Sequence, residues 1–253
     1  MRLAGVPPDY FAEDGQLWGN PLYNWDVMRW DGFGWWIRRV DGAARLFDAV
    51  RIDHFRGLES YWAVPADAET AKIGAREQGP RMDLLRVLTN WFPHITYIAE
   101  DLGTLTEEVH VLRREAGLPG MKVLEFAFDG TDNAYLPHNH ERHCICYTGT
   151  HDNDTVVGWY TAAEEKERDF VERYLGVRDD AEAVRLALLR CGMASVAELF
   201  IAQLQDYLGL GSESRINVPG VAKGNWAWRL RGGLTTDALA KEIFTMTRTF
   251  ARG

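Results

Sequence analysis

The sequence is poor in cysteine and has no long apolar run. Its 253 residues include three cysteines, Cys144, Cys146 and Cys191, an odd and sparse set that indicates free thiols in a reducing cytosol. A metal or redox pair at Cys144 and Cys146 would need a second ligand cluster, and none follows. No stretch of about eighteen apolar residues occurs, and the N-terminus lacks the apolar core of a secretory signal. We therefore expect a cytoplasmic protein with no membrane partner.

Basic residues are also in deficit. The net charge is -9 and the sequence pI is about 5.3, so the chain repels phosphate backbones and nucleic acid is not expected as a partner. The phosphate-loop pattern G-x-x-x-x-G-K-[ST] does not occur, which argues against a phosphate-binding α/β protein. An uncharged substrate fits this charge balance better than a charged one.

Short apolar runs alternate with helical stretches along most of the chain. The runs cover residues 49–55, 95–100, 121–128, 143–148 and 199–204. Such alternation predicts an α/β fold with a parallel sheet, because helical crossovers cover both faces of the strands. A barrel or an open sheet would accommodate these five strands. A helical stretch over residues 25–48, broken near residues 32–35, is also predicted.

Two segments depart from this alternation. Glycine, proline and asparagine punctuate the first 25 residues, which predicts a loop there. An insertion from about residue 56 to residue 80 is too long for a simple connection and contains Tyr61 and Trp62. We expect this insertion to form a small subdomain over the functional site.

Three acidic residues each follow an apolar run at its C-terminal end. They are Asp53, Glu100 and Asp152. In α/β barrels the C-terminal ends of the strands carry the chemistry. Acids from three separate strands are therefore expected to face one pocket.

The first of these acids has a basic neighbour two positions earlier. Because side chains alternate along a strand, Arg51 and Asp53 share one face while Val50 and Ile52 face the helices. We expect a buried Asp53 whose ionised form is favoured by the guanidinium. An ionised, positioned carboxylate suits a nucleophile at an anomeric carbon. The alternative is a structural ion pair at the end of a strand.

The other two acids have different surroundings. Glu100 ends a strongly apolar strand, so burial should raise the pKa of its carboxyl and suit it to be a proton donor, while Asp101 points the other way. The alternative is that both residues merely begin the next loop. Asp152 lies in the polar cluster 150–154; a metal bound with His151 and Asp154 is an alternative, although the spacing matches no standard site. Together the three acids describe retaining glycoside chemistry.

Several motifs resemble those of one enzyme family. Residues 51–57 (RIDHFRG), 99–103 (AEDLG) and 151–153 (HDN) resemble the catalytic motifs of the 4-α-glucanotransferases, also called amylomaltases or disproportionating enzymes, in glycoside hydrolase family 77 of the α-amylase clan. Residues 5–11 (GVPPDYF) and 15–21 (GQLWGNP) resemble the mobile active-site loop of that family. Residues 215–220 (RINVPG) and 224–229 (GNWAWR) resemble its C-terminal signature. The motifs occur in the family's order between about residue 4 and about residue 230.

The resemblance implies a role for each matching position. Asp53 would be the nucleophile, Glu100 the general acid and base, and Asp152 the stabiliser of the transition state. Arg51 and His151 would support the sugar at the point of cleavage. The remaining substrate contacts would come from Asp9, Phe11, Gln16, Trp18, Asp129 and Asn217. The implied substrates are maltooligosaccharides and α-1,4-glucans, and neither a cofactor nor a catalytic metal is expected.

The sequence departs from the family pattern in two ways. The insertion reads Gly74-Ala75-Arg76 and Gly79-Pro80-Arg81 where the family has Gly-x-Trp and Gly-Pro-Gly. Family members are also about twice as long, and nothing here matches their N-terminal half. We therefore expect residues 1–253 to be part of one catalytic domain with the later strands of an eight-stranded barrel. An α-amylase-like hydrolase and an inactive, glucan-binding remnant are the alternatives.

Overall fold

The chain has an α/β fold in two compact units. The computed structural model describes residues 2–8, 12–103, 105–221 and 223–253. The units are Met1–Gly120 and Met121–Gly253. Within the described ranges no helix is both long and apolar enough to cross a bilayer.

The first unit combines a parallel strand pair with an antiparallel sheet. In chain order its elements are β1 (Arg2–Val6), β2 (Gln16–Pro21), α1 (Trp25–Trp30), α2 (Gly34–Ala44), β3 (Ala49–Ile52), α3 (Arg56–Glu59), β4 (Ser60–Pro65), β5 (Ala75–Gln78), α4 (Arg81–Trp91), β6 (Thr96–Ala99) and α5 (Glu107–Glu115). Strands β3 and β6 are parallel, whereas the other four form a sheet in the order β2-β1-β4-β5. The prediction of two helices within residues 25–48 is confirmed.

The N-terminal segment is not the loop that its composition predicts. Strand β1 pairs antiparallel with β2 on one side and with β4 on the other, where Leu3 lies opposite Val64. Every residue of β2 is exposed, so no apolar alternation marks it in the sequence. Its strand conformation comes from backbone hydrogen bonds to β1, and β1 in turn depends on a partner from the insertion. Strand pairing between segments distant in the chain leaves no local pattern in the sequence.

The insertion contributes strands to the same sheet. Strand β4 pairs antiparallel with β5, from Ser60 opposite Gln78 to Ala63 opposite Ala75. The Trp62 indole N–H donates to the Ala71 carbonyl oxygen over 2.9 Å, which closes the connection between the two strands. The insertion therefore completes a sheet together with the N-terminal hairpin.

The core of the first unit lies between the parallel pair and its helices. Leu84, Leu85 and Leu88 of α4 and Leu112 of α5 are almost completely buried in it. Burying each such leucine stabilises the fold by about 1.5–3 kcal/mol. Val50 and Ile52 of β3 pack against this core, as the alternation along the strand predicts. Arg51 therefore lies on the opposite face of β3.

The second unit has a three-stranded sheet and helices α6 to α10. Its elements are β7 (Gly120–Val123), which begins at the boundary, β8 (Cys144–Tyr147), α6 (Val156–Ala162), α7 (Glu165–Leu175), α8 (Ala181–Ala194), β9 (Leu199–Ile201), α9 (Leu204–Leu208) and α10 (Asp237–Thr249). The strand order is β7-β8-β9, and β8 and β9 are parallel. All five predicted strands form, although the run 121–128 continues beyond Val123 as a 3-10 turn. Leu124, Val156, Val171 and Leu188 are fully buried in the core of this unit.

Helix α6 begins immediately after the polar cluster 150–154. The Thr155 hydroxyl oxygen accepts a hydrogen bond from the Gly158 N–H over 3.1 Å, and Thr155 is completely buried. This cap satisfies one of the free N–H groups in the first turn of the helix. The cap thereby fixes where the preceding cluster ends.

Arg81 opens α4 in a backbone conformation that favours glycine. Its φ is 50°, and it stands where the family pattern has the second glycine of Gly-Pro-Gly. A side chain in the left-handed region costs about 1–2 kcal/mol. The guanidinium makes an ion pair with Glu59 over 3.2 Å, which offsets part of that cost.

We predict that Arg81→Gly stabilises the protein by about 0.5–1 kcal/mol, because the backbone strain that it relieves costs more than the ion pair with Glu59 contributes. The measurement is the midpoint of thermal unfolding. Arg86→Gly is the matched control, since Arg86 lies inside the same helix and glycine there should cost about 1 kcal/mol. A lower midpoint for Arg81→Gly would show that the Glu59 pair outweighs the strain.

Candidate active site

The ends of β3 and β6 bring Asp53 and Glu100 next to each other. The parallel register pairs Ile52 with Ala99, so the following residues on the two strands are neighbours. Backbone hydrogen bonds continue past the strands, from the Glu100 N–H to the Ile52 oxygen and from the Phe55 N–H to the Glu100 oxygen. Both acids therefore lie at the C-terminal edge of the pair, as the sequence predicts.

Asp53 is paired with Arg51 but is not buried. The Arg51 Nη2 and Asp53 Oδ1 atoms are 2.7 Å apart, and the Asp53 side chain is 77% exposed. The expectation of a buried Asp53 is wrong, because β3 ends at Ile52 and Asp53 belongs to the turn that follows. The guanidinium still orients the carboxylate, and the exposed carboxylate remains open to a reactant.

Glu100 is held by two backbone N–H groups. The His54 N–H donates to Oε2 over 2.7 Å and the Leu102 N–H donates to Oε1 over 3.0 Å. Burial raises the pKa of this carboxyl, the Leu102 hydrogen bond opposes the rise, and the negative charge of Asp53 adds to it. The predicted direction is confirmed. A carboxyl of this kind is suited to give and take a proton.

The neighbouring acid has a different partner. Asp101 makes an ion pair with Arg113 over 3.2 Å, and both side chains are buried. This pair anchors the start of the loop after β6 to helix α5. Of the two consecutive acids, Glu100 is therefore the one that accompanies Asp53.

His54 links the two carboxyl positions and adopts a strained conformation. Its φ is 46°, and this turn directs its N–H to Glu100. A β-carbon on Gly57 would lie 3.0 Å from the His54 ring, so glycine leaves room for the imidazole. Burial, followed by the charge of Arg56, lowers the pKa of His54 to about 4. The imidazole is therefore neutral at physiological pH.

The N-terminal hairpin adds an aromatic side chain to this group. The Trp18 ring meets the His54 ring edge to face, with 4.7 Å between centroids. The Trp18 indole N–H donates to the Gln16 Oε1 over 3.1 Å. Of the predicted substrate contacts, Trp18 thus lies beside the residue that follows Asp53, and Gln16 contacts Trp18. Asp9 and Phe11 lie outside the described residues.

In the second unit, Asp152 is surrounded by polar side chains. Arg215 Nη2 donates to its carbonyl oxygen and Asn217 Nδ2 to its Oδ1, each over 2.6 Å. His151 Nε2 lies 3.5 Å from the same Oδ1. The His151 ring packs on Trp226, with 5.2 Å between centroids. These contacts tie the cluster 150–154 to the C-terminal signature.

A second layer of hydrogen bonds fixes the turn that carries Asp152. Asn153 Oδ1 accepts from both the N–H and the hydroxyl group of Thr150, each over 2.9 Å. The Thr150 Oγ1 in turn accepts from the Asp152 N–H over 3.2 Å. The Asp152 backbone is therefore held from two sides, by Thr150 and by Arg215.

Asp129 is not part of the Asp152 group in the described contacts. Its Oδ1 accepts from Asn133 Nδ2 over 2.6 Å, within a turn after Phe128.

The metal alternative at His151, Asp152 and Asp154 also lacks support. Asp154 accepts from the Thr155 N–H and the Ser212 hydroxyl group, and the described ranges contain no group of three or more His, Cys, Asp or Glu side chains that could hold a metal ion.

Three residues that contact predicted site residues have no role that the sequence alone predicts. His54 contacts both Glu100 and Trp18, Arg215 binds the Asp152 carbonyl group, and Trp226 packs on His151. All three lie inside the family-like motifs, so the motifs were the available signal. Their contacts depend on turn geometry that spacing does not reveal.

Comparisons with known proteins find relatives along most of the chain. Residues 1–236 match the model of the 4-alpha-glucanotransferase family. The chain is 52% identical to a Thermus thermophilus 4-alpha-glucanotransferase over 91% of this chain and 48% of that protein. It is 44% identical to the Clostridium butyricum enzyme of the same name, over 100% and 52%.

The structure also resembles a solved amylomaltase. The amylomaltase from Streptococcus agalactiae in complex with acarbose superposes with a TM-score of 0.93 at 36% identity, over 100% of this chain and 51% of that one. The α/β fold class is thereby confirmed. The chain spans about half the length of the relatives that it matches.

We predict that Arg51→Met raises the pKa of Glu100 further. The Arg51 charge lowers that pKa, so its loss leaves burial and the Asp53 charge to act with less opposition. The measurement is a ¹³C NMR titration of the Glu100 carboxyl carbon. Arg45→Met is the control, because Arg45 pairs with Asp41 on α2 and should leave the titration unchanged. An unchanged or lower pKa in Arg51→Met would contradict the electrostatic account.

Proposed function

The chain belongs to the 4-alpha-glucanotransferase family, and from that premise we propose that the complete protein transfers segments of α-1,4-glucans to acceptor glucans with retention of configuration. Maltooligosaccharides and α-1,4-glucans are the proposed substrates. The amylomaltase relative that was solved with acarbose supports this substrate class. No cofactor takes part in the proposed reaction.

The observation that carries the proposal is the unequal environment of two adjacent carboxyls. Asp53 is exposed beside a guanidinium, whereas Glu100 is desolvated and has a raised pKa. An exposed carboxylate oriented by a guanidinium suits a nucleophile, whereas a carboxyl whose pKa is raised by desolvation suits a proton donor. Retaining chemistry also predicts that the two carboxyl groups lie about 5–5.5 Å apart.

The first step transfers the glucan to the protein. Glu100 gives its proton to the glycosidic oxygen, the bond from that oxygen to the anomeric carbon breaks, and Asp53 forms a bond to the same carbon. The reducing-end fragment leaves with the proton. Arg51 keeps the Asp53 carboxylate oriented for this attack.

The second step reverses the proton transfer. Glu100, now ionised, takes the proton from the 4-hydroxyl group of an acceptor glucan. The acceptor oxygen bonds to the anomeric carbon as the bond to Asp53 breaks, which restores the original configuration. Transfer in place of hydrolysis requires that water be kept from the intermediate, and we assign this shielding to the hairpin that carries Trp18.

The remaining residues of the motifs support the sugar. Asp152 stabilises the oxocarbenium-like transition state, and His151, beside it, binds sugar hydroxyl groups together with Arg51. Further substrate contacts are proposed for Asp9, Phe11, Gln16, Trp18, Asp129 and Asn217. The contact between Asn217 and the Asp152 carboxylate supports the inclusion of Asn217.

We also propose a fold and a location for the complete protein. Residues 1–253 belong to one catalytic domain, and β3, β6, β7, β8 and β9 are later strands of a (β/α)8 barrel. The superposition on half of an amylomaltase chain supports this arrangement. The three free cysteines favour a reducing compartment such as the cytoplasm.

We predict that the complete protein converts maltotriose into longer maltooligosaccharides, and that Trp18→Ala raises the ratio of hydrolysis to transfer because water reaches the intermediate. Trp18→Phe is the control and should keep the ratio, since it retains an aromatic ring over His54. Chromatographic analysis of the products gives both quantities. Exclusively shorter products from the unmodified protein would indicate an α-amylase-like hydrolase instead. An unchanged ratio in Trp18→Ala would contradict the role of the hairpin.

A donor with a fluoride leaving group separates the two carboxyl roles. Fluoride leaves without protonation, so Glu100→Gln should release one equivalent of fluoride from α-maltosyl fluoride in a burst within about ten-fold of the normal first-step rate, while its transfer from maltotriose falls about 10²–10⁴-fold. Asp53→Asn, the matched amide variant, should lose both activities. Fluoride release and product formation are the measurements. Equal losses in Glu100→Gln with both donors would exclude Glu100 as the acid.

A further inference from the structure

The second unit contains a buried carboxyl that the mechanism does not use. Glu125 lies in the 3-10 turn after β7 and is 4% exposed. Its Oε1 is fully buried and has no hydrogen-bond partner among the described residues. A buried carboxylate oxygen in this state is costly unless the group is neutral.

Glu125 is connected to the turn that carries Asp152. The Asn153 side chain hydrogen-bonds to Glu125, and its Oδ1 accepts from the N–H and hydroxyl groups of Thr150. Since that oxygen is an acceptor, the Asn153 amide group is the donor to Glu125. Thr150 then accepts from the Asp152 N–H. Asn153 and Thr150 thus connect Glu125 to the Asp152 backbone, and Glu125 and Asn153 both border Gly149.

The surrounding charges indicate where a proton resides. Asp206, Asp154 and Arg215 are the charged groups that act on Glu125. Burial raises the pKa of Asp206, and hydrogen bonds from the Thr148 hydroxyl group over 2.6 Å and the Val156 N–H over 2.8 Å oppose that rise.

Asp154 is likewise satisfied, by the Thr155 N–H and the Ser212 hydroxyl group, each over 2.7 Å. Burial and the negative charges of Asp206 and Asp154 raise the pKa of Glu125 well above its ordinary value. Of the three acids, Glu125 has the fewest donors, so it is the one that holds a proton.

The Gln203 side chain borders the same glycine as Glu125. Gln203 Oε1 is also buried without a hydrogen-bond partner in the part of the chain that the structure describes. Both side chains border Gly149, where an added β-carbon would lie 2.8 Å from Glu125 Oε1 and 3.1 Å from Gln203 Nε2. A side chain at position 149 would therefore collide with both residues.

We propose that Glu125 is a neutral carboxylic acid that acts as a positioning residue, holding Asp152 in its reactive place through Asn153 and Thr150. This inference rests on the proposed function, because it assumes that Asp152 stabilises the transition state. Glu125 touches neither the substrate nor the reacting atoms. Its effect is to fix a turn whose displacement by about 1 Å would cost about 10²-fold in rate.

The test compares Glu125→Gln with Glu125→Ala in the complete protein. Glutamine accepts from Asn153 and donates as the carboxylic acid does, so kcat should stay within about two-fold of normal. Alanine removes the anchor, and kcat should fall about 10–100-fold while KM stays within about three-fold. Equal losses in both variants, or no loss in Glu125→Ala, would overturn the proposal.

Two further variants separate positioning from general stability. Leu188→Ala removes a fully buried side chain from the core of the same unit, so it should lower the melting temperature without lowering kcat. Thr150→Val breaks the connection between Asn153 and Asp152 at constant size, and its kcat should fall as in Glu125→Ala. An equal fall in kcat for Leu188→Ala, or an unaffected Thr150→Val, would count against positioning.

Infrared spectroscopy tests the protonation state without activity. The difference spectrum between the unmodified protein and Glu125→Gln should contain the band of a protonated carboxyl at about pH 7. A carboxylate band in its place would overturn the proposal. If the unmodified protein transfers no glucan while the protonated band is present, the proposed function fails but the state of Glu125 stands.

Discussion

Hydrogen bonds from two backbone N–H groups to the Glu100 carboxyl organise the site in the first unit. The His54 N–H reaches Glu100 because His54 occupies the left-handed region. The same turn lies directly after Asp53, at the strand end beside Glu100. The parallel register of β3 and β6 supplies the two chain ends, and a glycine at position 57 leaves room for the imidazole. Strain at one residue is thus compensated by hydrogen bonds to a functional group.

The turn around Asp152 is built on the same principle with different parts. Its backbone is fixed by side chains, from Thr150 and Arg215, and buried acids lie behind it. Both units therefore place a carboxyl on a short turn after a strand and secure that turn by hydrogen bonds to backbone groups. Such a turn keeps a carboxyl accessible to solvent while fixing its position, and a preorganised site requires both.

The sequence predicted the local features well and the non-local ones poorly. The five strands, the pairing of Arg51 with Asp53 and the raised pKa of Glu100 follow from apolar runs and side-chain alternation. The hairpin of β1 and β2 was missed because β2 is exposed throughout and β1 pairs with residues of the insertion. The burial of Asp53 was overestimated because the strand ends one residue earlier. The role of Glu125 was not predicted from the sequence, because only the folded chain shows that its Oε1 has no partner among the described residues.

The central claim is that Asp53 forms a covalent bond to the anomeric carbon while Glu100 handles the proton. The direct measurement is mass spectrometry of the complete protein carrying Glu100→Gln after reaction with α-maltosyl fluoride, followed by peptide mapping. We predict a stable maltosyl ester on the peptide that contains Asp53, because the second step lacks its base. A label on any other residue, or no label although fluoride is released, would contradict it.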